Sequence, residues 1–322
     1  MTLVVRDEVD LVETWLRYHL ARGVELVIAT DHRSVDGTTD VLREYERDGR
    51  VVLLREDGDV FRQAEWMTHM SRLAVSHGAD WVIPSDADEL WWPRRGSFAE
   101  ILGSVPSRFG VVRGLMRHFV LRSGDEPFFE RLTVRARPTT DLSSPYHAQV
   151  KVAHRAVPDA VVAVGNHDVE GTGLRVLRDW FPLEVFHFPL RDEQQLEAKF
   201  LRRVTSPDGQ HIVRALELLA EATVADEELG RRLAEGSLVR DVRFRDAIRS
   251  LDRGEQLASV PPTLADEADL ATDAHVALEL DSAVLAERLC GALEHRVAVL
   301  EEGGLSHRVA RRLRAPRMGV FH

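Results

Sequence analysis

The N-terminal part of the chain alternates between short apolar runs and amphipathic runs, and this alternation limits the possible folds more than any other feature. Strand signals occur at four places, Leu3–Val5, Leu26–Ala29, Val51–Leu54 and Trp81–Ile83. Between them, apolar residues recur at helical spacings of three and four. Strands that alternate with helices in this way indicate parallel strands joined by crossover helices. The sequence therefore predicts an α/β fold with a mostly parallel sheet flanked by helices.

The later part of the chain has a different character. Short β-like runs separated by polar loops extend from about residue 110 to about residue 188. After Pro189, helical periodicity dominates. We predict a first domain over residues 1–205 and a helical C-terminal region over residues 206–322.

The composition limits which binding partners and which cellular compartment can be expected for this protein. The 322 residues carry 42 Lys and Arg against 53 Asp and Glu, a net charge of -11, which makes nucleic acid an unfavourable partner. Cys290 is the one cysteine, so no disulfide can form within the chain and a reducing compartment is expected. The first apolar run is too short for a signal peptide, and no run approaches the roughly 20 apolar residues of a membrane span. We expect a cytoplasmic protein without a membrane span.

Polar clusters follow two of the predicted strands at the point where each strand ends. Asp31–Thr38 follows the second strand, and Asp86–Glu89 follows the fourth. Open parallel sheets bind ligands beyond the carboxyl ends of their strands. Asp86 and Asp88 can converge on one cation, and their oxygens suit Mg²⁺ or Mn²⁺ bridged to a substrate phosphate. The alternative is an ordinary solvated acidic turn, because two aspartates at this spacing are common by chance.

Several further segments match, in order, the motifs of a known enzyme family over roughly the first 200 residues. The segments are Arg6-Asp7-Glu8, Trp15 to His19, Gly23-Val24, Asp31 to Thr38, Arg62-Gln63-Ala64, Trp66, Asp80 to Ile83, Asp86 to Leu90, Lys151, Gly165-Asn166-His167, His187 to Arg191, Gln195 and Lys199. Together they resemble a bacterial subgroup of the family-two-type glycosyltransferases with the A-type fold. Two residues depart from this pattern. Asp7 stands where the subgroup often has Asn, and His32 stands where the subgroup usually has Asn or Asp. Both departures bear on the nucleotide preference.

The resemblance implies a nucleotide-diphospho-sugar transferase-like fold, with residues 1–205 as the catalytic domain. It implies transfer of a sugar from a UDP-type or GDP-type donor to a hydroxyl of a carbohydrate or small-molecule acceptor. The reaction would depend on Mn²⁺ or Mg²⁺ and invert the anomeric carbon. The C-terminal helices are candidates for a homodimer contact.

The resemblance also implies roles for individual residues. Asp31 would lie near the base or ribose, Asp86 and Asp88 would address ribose and metal, and Asp88 would be the better metal ligand. His187 would complete the metal site, and an imidazole ligand favours Mn²⁺.

Cationic and polar residues complete the implied nucleotide-sugar site. Arg191 and Lys199 would neutralise the diphosphate as it leaves, although an exposed helix face would explain the pair equally well. Arg62, Gln63 and Lys151 would also contact the nucleotide sugar.

An inverting transferase needs a general base beside the acceptor hydroxyl, and a carboxylate normally serves. Asp168 is the first candidate, followed by Glu89 and Glu170. The alternative for Asp168 and Glu170 is a loop whose carboxylates cap turns.

Three other function classes match parts of the sequence or of the predicted fold. Gly165-Asn166-His167-Asp168 also matches one motif of binuclear metallophosphoesterases, but the remaining motifs of that class are missing. A sugar nucleotidylyltransferase would need a glycine-rich phosphate loop after the first strand, where Arg6-Asp7-Glu8 stands. A non-catalytic nucleotide-sugar or partner-binding protein is the third alternative.

Overall fold

The computed structural model describes residues 1–122, 124–178, 180–192, 195, 226–257 and 265–282. The chain divides into two compact units, Met1–Ala277 and Leu278–His322. Within the second unit, the described residues 278–282 are helical. None of the helices in these ranges has the length and apolar character that a membrane crossing requires.

The first sheet is parallel throughout and confirms the predicted α/β fold. Its strands, in spatial order, are β3 (Val51–Glu56), β2 (Val27–His32), β1 (Thr2–Val5) and β5 (Pro84–Asp86). The helices that connect them are α1 (Val9–Ala21), α2 (Thr38–Arg47) and α3 (Gln63–Ser76). All of β1 and β2 is buried, as expected for strands covered by helices on both faces.

The fourth predicted strand is divided between two sheets. Trp81–Val82 forms β4, which pairs with β9 (Val150–Arg155), and the chain then crosses at Ile83 to form β5 beside β1. Pro84 has no N–H to donate to a ladder, and β5 is the edge strand of its sheet, where proline is tolerated. Asp86 is therefore the last residue of a strand, whereas the sequence placed it in the loop after one.

The β-like runs of the middle region form a second, mainly antiparallel sheet, so the prediction of a mostly parallel sheet holds for the first sheet alone. Its strands are β4, β9, β7 (Val111–His118), β12 (Leu183–His187) and β6 (Glu89–Pro93), in that spatial order. Only the β7–β12 pair is parallel among these neighbours. Gly114 on β7 leaves room for Trp91, since a Cβ there would lie 2.8 Å from the Trp91 ring.

Smaller elements surround the two sheets. They are α4 (Phe98–Gly103), α5 (Phe128–Arg131), the pair β8 (Val134–Ala136) with β13 (Leu238–Arg240), the hairpin β10 (Val161–Val162) with β11 (Val169–Glu170), α6 (Asp226–Ala234) and α7 (Arg243–Asp252). Residues 265–277 form the last helix of the first unit, here called the terminal helix. The described part of residues 206–322 is thus largely helical, as predicted. The boundary predicted at 205/206 lies outside the described residues.

A buried ionic network ties the terminal helix and α7 to the second sheet. Its core consists of three arginines and three carboxylates, namely Arg117, Arg135, Arg243, Glu184, Asp241 and Asp273. Arg117 on β7 joins Glu184 on β12 to Asp273 on the terminal helix. Because the charges balance, the arrangement offsets much of the cost of desolvating them.

Candidate functional site

The acidic segment Asp86-Ala87-Asp88-Glu89 lies where the two sheets meet. Asp86 ends β5 in the first sheet, and Glu89 begins β6 in the second. The side chains of Asp86 and Asp88 are 24% and 17% exposed, whereas that of Glu89 is 2% exposed. The two aspartates can therefore reach a ligand from solvent, and Glu89 faces the protein.

Lys151 on β9 lies behind the acidic segment. Its Nζ is 2.5 Å from Glu89 Oε1 and 3.6 Å from Asp86 Oδ2, and it donates a hydrogen bond to the Gly165 carbonyl. Burial raises the pKa of Glu89 to about 8, the charges of Asp86 and Asp88 add to this, and Lys151 opposes it. Burial alone would lower the pKa of Lys151, but the surrounding carboxylates raise it above its usual value, so the lysine stays charged.

His187 ends β12 and faces Asp88. The antiparallel β12–β6 register places His187 opposite Glu89, and His187 Nε2 is 3.9 Å from Asp88 Oδ1. On its other side, His187 Nδ1 is 3.0 Å from Nδ1 of His118, the last residue of β7. Burial lowers the pKa of His118 well below its usual value, and the nearby His187 and Lys151, among others, add to the effect.

Gln63 connects the acidic segment to the Gly165 loop. Its Nε2 donates to Asp86 Oδ1, and its Oε1 accepts a hydrogen bond from Gly165 N at 3.2 Å. Arg62, just before α3, is exposed and pairs with Glu65 at 3.5 Å. Asn166 is fully buried, and within the described ranges neither polar atom of its side chain has a hydrogen-bond partner. A buried polar side chain of this kind calls for a partner such as an ordered water or an ion, or for a catalytic role.

The Trp15 to His19 motif on α1 holds the acidic segment in place through hydrogen bonds. Trp15 Nε1 donates to the Glu89 carbonyl at 2.8 Å, and His19 Nε2 accepts from Trp91 N at 3.0 Å. His19 Nδ1 donates to the Trp15 carbonyl at 2.8 Å, which fixes the tautomer of this neutral histidine. Because Trp15 and His19 are four residues apart, they lie on one face of α1. Both side chains are fully buried, so this motif supports the acidic segment from within the core.

The segment Asp31–Thr38, predicted as a loop, runs from the last two residues of β2 to the first residue of α2, and it interlocks with the start of α1. Asp31 is fully buried, and its carboxylate accepts hydrogen bonds from Arg55 at 2.7 Å, from Ser34 N at 3.1 Å and from Thr39. Asp36 accepts from the Val9 amide at the start of α1 at 3.0 Å. The resemblance implies that Asp31 lies near the base or ribose. In the structure, its carboxylate oxygens already have protein partners.

Arg191 is buried and joins the end of β12 to the start of α1. It forms ion pairs with Glu8 and, at 2.6 Å, with Asp10, and these carboxylates raise its pKa further above its usual value, although burial alone would lower it. Its NH1 has no hydrogen-bond partner among the described residues. A cavity of about 540 Å³, whose walls include Asp10, Arg131 and Arg191, lies beside this ion pair. Lys199 lies outside the described residues.

The candidate bases occupy contrasting environments. Asp168 is exposed between β10 and β11, and its Oδ1 accepts from Val169 N at 2.9 Å. Glu170 is also exposed, whereas Glu89 is shielded from solvent and pairs with Lys151. His167 Nδ1 lies 2.7 Å from the Val150 carbonyl.

The structure thus brings together Gln63, Asp86, Asp88, Glu89, Lys151 and His187, and it adds one residue that the sequence analysis missed. His118 lies directly beside His187. A signal for it exists in the sequence, because His118-Phe-Val-Leu-Arg122 and His187-Phe-Pro-Leu-Arg191 share four of five residues. The two copies follow neighbouring strands.

Comparisons with known proteins give structural matches alone. No family model matches the sequence, and no curated protein is significantly similar to it. Among solved structures, S. aureus TarS 1–349 in complex with UDP-GlcNAc has a TM-score of 0.38 and 12% identity, and the match covers 68% of this chain and 70% of that chain. TarS 1–349 in complex with UDP has a TM-score of 0.34 and 13% identity, with 89% and 91% covered. These TM-scores are too low to carry a functional argument, so function has to be inferred from the chain's own residues.

Proposed function

We propose that the protein is a glycosyltransferase that moves a sugar from a nucleoside-diphosphate sugar to an acceptor hydroxyl with the help of a divalent cation. One observation carries the proposal. Asp88 and His187, which are distant in sequence, approach to 3.9 Å at the edge where the two sheets meet. Both side chains are partly exposed, and they offer the oxygen and nitrogen ligands that suit Mn²⁺.

The acidic residues of the site favour the binding of a cation. Asp86, Asp88 and Glu89 crowd together, and Lys151 is the cation that contacts two of them directly. Like charges this close raise one another's pKa unless a positive charge compensates. No group of three or more His, Cys, Asp or Glu side chains in the described ranges is arranged to hold a metal by itself. Mg²⁺ and its analogues commonly use one or two protein carboxylates plus substrate phosphates, so Asp88 and His187 fit a cation shared with a diphosphate.

The proposed chemistry assigns separate tasks to these residues. A bound cation would act as a Lewis acid on the departing diphosphate. Asp88 and His187 would hold it, Asp86 would contact the ribose, and Gln63 would keep Asp86 in place. Lys151 would hold the acidic segment together through Glu89. We propose Asp168 as the base, because it is exposed whereas Glu89 is buried, and we propose inversion at the anomeric carbon.

The remaining assignments are also proposals. Arg62 is exposed next to Gln63 and could meet the donor directly. Asp31 would contribute to the site by holding the segment that follows it in place. Arg191 would offer its NH1, which has no hydrogen-bond partner among the described residues, to the diphosphate while Glu8 and Asp10 hold the rest of the guanidinium, and Lys199 would add a second cation. We further propose that residues 1–205 form the catalytic domain and residues 206–322 a helical region that could join two copies.

The proposal is tested by release of nucleoside diphosphate from a panel of UDP-sugars and GDP-sugars, with Mn²⁺, Mg²⁺ or EDTA. We expect slow metal-dependent release from one donor, which an acceptor accelerates. The control is Asp40→Asn, an exposed carboxylate on α2, which should release at the wild-type rate.

The alternatives give different results in the same assay. A metallophosphoesterase would hydrolyse p-nitrophenyl phosphate and leave the nucleotide sugars intact. A non-catalytic protein would bind a donor without releasing its diphosphate, even with a broad panel of sugar and polyol acceptors. Either result would overturn the proposal.

A further inference from the structure

A second cavity, which the proposed function does not use, lies beside the cavity at Arg191. Its volume is about 820 Å³, and its walls include residues of α5, β13 and α7. The two cavities share Glu126, Pro127 and Arg131 as walls. We call the second one the arginine cavity, because its charged residues are four arginines and two glutamates, namely Arg122, Arg131, Arg240, Arg249, Glu126 and Glu130.

The arginine cavity is positively charged in a chain that is negatively charged as a whole. Four arginines against two glutamates leave its walls with a net charge of +2, whereas the chain carries a net charge of -11. A cleft lined mainly by charges of one sign concentrates ligands of the opposite sign. The cavity therefore attracts anions, which most of this protein repels.

Arg131 is a fixed cation in the wall between the two cavities. Its guanidinium donates to the Glu126 carbonyl at 2.7 Å, to the Arg191 carbonyl at 2.9 Å and to the Arg122 carbonyl. All three acceptors are uncharged, and Arg131 forms no ion pair with a described carboxylate. An arginine has five N–H donors, so further N–H groups remain for a ligand. The position of this guanidinium is thus fixed while its charge is kept.

Two other arginines differ in how far their charge is compensated. Arg240, the last residue of β13, is exposed, and its side chain makes no ion pair within the described part of the chain. Arg249 on α7 forms a two-point ion pair with Glu130, at 2.8 and 2.5 Å. The charge of Arg249 is therefore largely taken up by Glu130, whereas that of Arg240 is available to a ligand.

Anionic oxygens are the ligands that suit such a cavity. The planar guanidinium of arginine binds two oxygens of a phosphate or of a carboxylate through paired hydrogen bonds. A neutral hydroxyl forms weaker hydrogen bonds with it and gains nothing from the net charge. An organic anion should therefore bind better than a neutral molecule of the same size.

The position of the arginine cavity connects it with the candidate site. The adjoining cavity of about 540 Å³ has Asp10 and Arg191 in its walls. The Asp88 carboxylate is close enough to Arg191 for its charge to help raise the pKa of that arginine. A molecule with one end beside Asp88 therefore has room for its other end in the arginine cavity.

We propose that the arginine cavity binds a negatively charged group of the acceptor, a phosphate or a carboxylate. Arg131 and Arg240 contact this group, and the rest of the acceptor extends through the adjoining cavity toward Asp88. That the bound anion is the acceptor rests on the proposed function, whereas anion binding by the cavity does not. If the arginines only support the surrounding loops, anions will bind here no better than at any exposed arginine.

The first test measures anion binding by calorimetry in EDTA and without nucleotide, so that the candidate metal site does not contribute. The probes are glucose 6-phosphate, glucuronate and glucose, which share a sugar ring and differ in charge. We expect both anions to bind, more weakly as NaCl is added, and glucose to bind much more weakly than either. Equal binding of all three probes, or no binding of either anion, would overturn the inference.

Two variants change the charge of the cavity in opposite directions. Arg240→Gln removes an exposed positive charge and should weaken the binding of both anions about two- to fivefold. Glu130→Gln releases Arg249 from its ion pair and should strengthen the binding by a similar factor. Arg47→Gln is the matched control, because Arg47 is an exposed arginine at the end of α2, and it should leave the affinity unchanged. Equal affinities in Arg240→Gln and Arg47→Gln would place the anions elsewhere.

The second test asks whether the bound anion is the acceptor. Release of nucleoside diphosphate is measured with three groups of acceptors, namely sugar phosphates, uronic acids and the corresponding neutral sugars. We expect one of the two anionic groups to accelerate release at concentrations where its neutral counterparts do not, and this identifies the anion. Arg240→Gln should raise the KM for that acceptor about two- to fivefold and leave kcat and the donor KM unchanged. Equal use of neutral and anionic acceptors would refute the assignment to the acceptor.

The two tests separate the inference from the proposed function. If the anions bind as expected but no donor is turned over, the proposed function fails and the anion site stands. If a donor is turned over but Arg240→Gln binds the anions as tightly as Arg47→Gln does, the inference is wrong while the function stands.

Discussion

Replacement of Glu184 by Gln tests the ionic network that supports the second sheet. Glu184 is the second residue of β12, three residues before His187, and is 2% exposed. Its carboxylate accepts from Arg117 Nε and from Arg243 NH1, each at 2.6 Å. Burial alone would raise the pKa of Glu184, but Arg243 and Arg117 hold it well below its usual range. Gln keeps the shape and removes the charge, so the buried Arg117 and the partly buried Arg243 lose their shared counter-ion.

The expected loss follows from these contacts. Glu184 forms two ion pairs at 2.6 Å, one with Arg117 and one with Arg243. Gln can keep one hydrogen bond through its amide oxygen but neither ion pair. Removal of one partner from a buried pair typically costs about 3–5 kcal/mol. We therefore expect the free energy of unfolding of Glu184→Gln to fall by about 3–5 kcal/mol at pH 7.

Urea unfolding followed by tryptophan fluorescence measures this difference. Glu130→Gln is the matched control, because Glu130 pairs with Arg249 through the same chemistry while the Arg249 side chain is 49% exposed; it should cost less than about 1 kcal/mol. A carboxylate with a lowered pKa stabilises above its unfolded pKa, so the advantage of wild type over Glu184→Gln should shrink as pH falls below about 4.5. Equal losses in the two variants would refute this description of the network.

Three further predictions concern the site and its support. Asp88→Asn should lower donor turnover by about a hundredfold or more, because a Lewis acid contributes several kcal/mol, and should leave the urea midpoint unchanged; wild-type turnover would remove Asp88 from the metal site. Trp15→Phe should lose about 1 kcal/mol of stability with the hydrogen bond to the Glu89 carbonyl and weaken Mn²⁺ binding several-fold, as read by urea unfolding and EPR. Burial lowers the pKa of His19 from 6.5 to about 3, so the folded state resists its protonation and stability should fall as pH drops below 6.5, by up to about 1.4 kcal/mol per pH unit. His19→Gln should show a flatter pH profile of unfolding free energy, and parallel profiles would contradict this.

The sequence predicted the first sheet well because its signals are local. Each crossover unit has its own apolar run and its own helical periodicity, and α1, α2 and α3 lie between the predicted strands. The second sheet could not be predicted in the same way. Its strands pair across long separations, as Glu89 does with His187, and short β-like runs do not encode their partners. The sheet change at Ile83 is likewise a tertiary event that local periodicity does not report.

The candidate site shows the same difference between local features, which the sequence predicts, and long-range contacts, which it does not. The acidic motif and His187 could be named as candidates from residue type, position and resemblance, and the fold brings them together. The partners that engage the predicted ligand residues could not be identified. Arg191 meets Glu8 and Asp10 across almost the whole described first domain, and Asp31 meets Arg55 from a neighbouring strand. These ion pairs determine which charged side chains remain available to a ligand. The sequence shows the charged residues, but it does not show which of them pair with each other.

Calorimetric titration of the wild-type protein and Asp88→Asn with UDP and with GDP, in Mn²⁺ and then in EDTA, tests the central claim most directly. We predict that one nucleotide binds the wild type in Mn²⁺, that EDTA abolishes the binding, and that Asp88→Asn weakens it by at least about tenfold. Failure of both nucleotides to bind in Mn²⁺ or Mg²⁺, or equal binding in EDTA and in Asp88→Asn, would contradict a metal-assisted diphosphate site at Asp88 and His187.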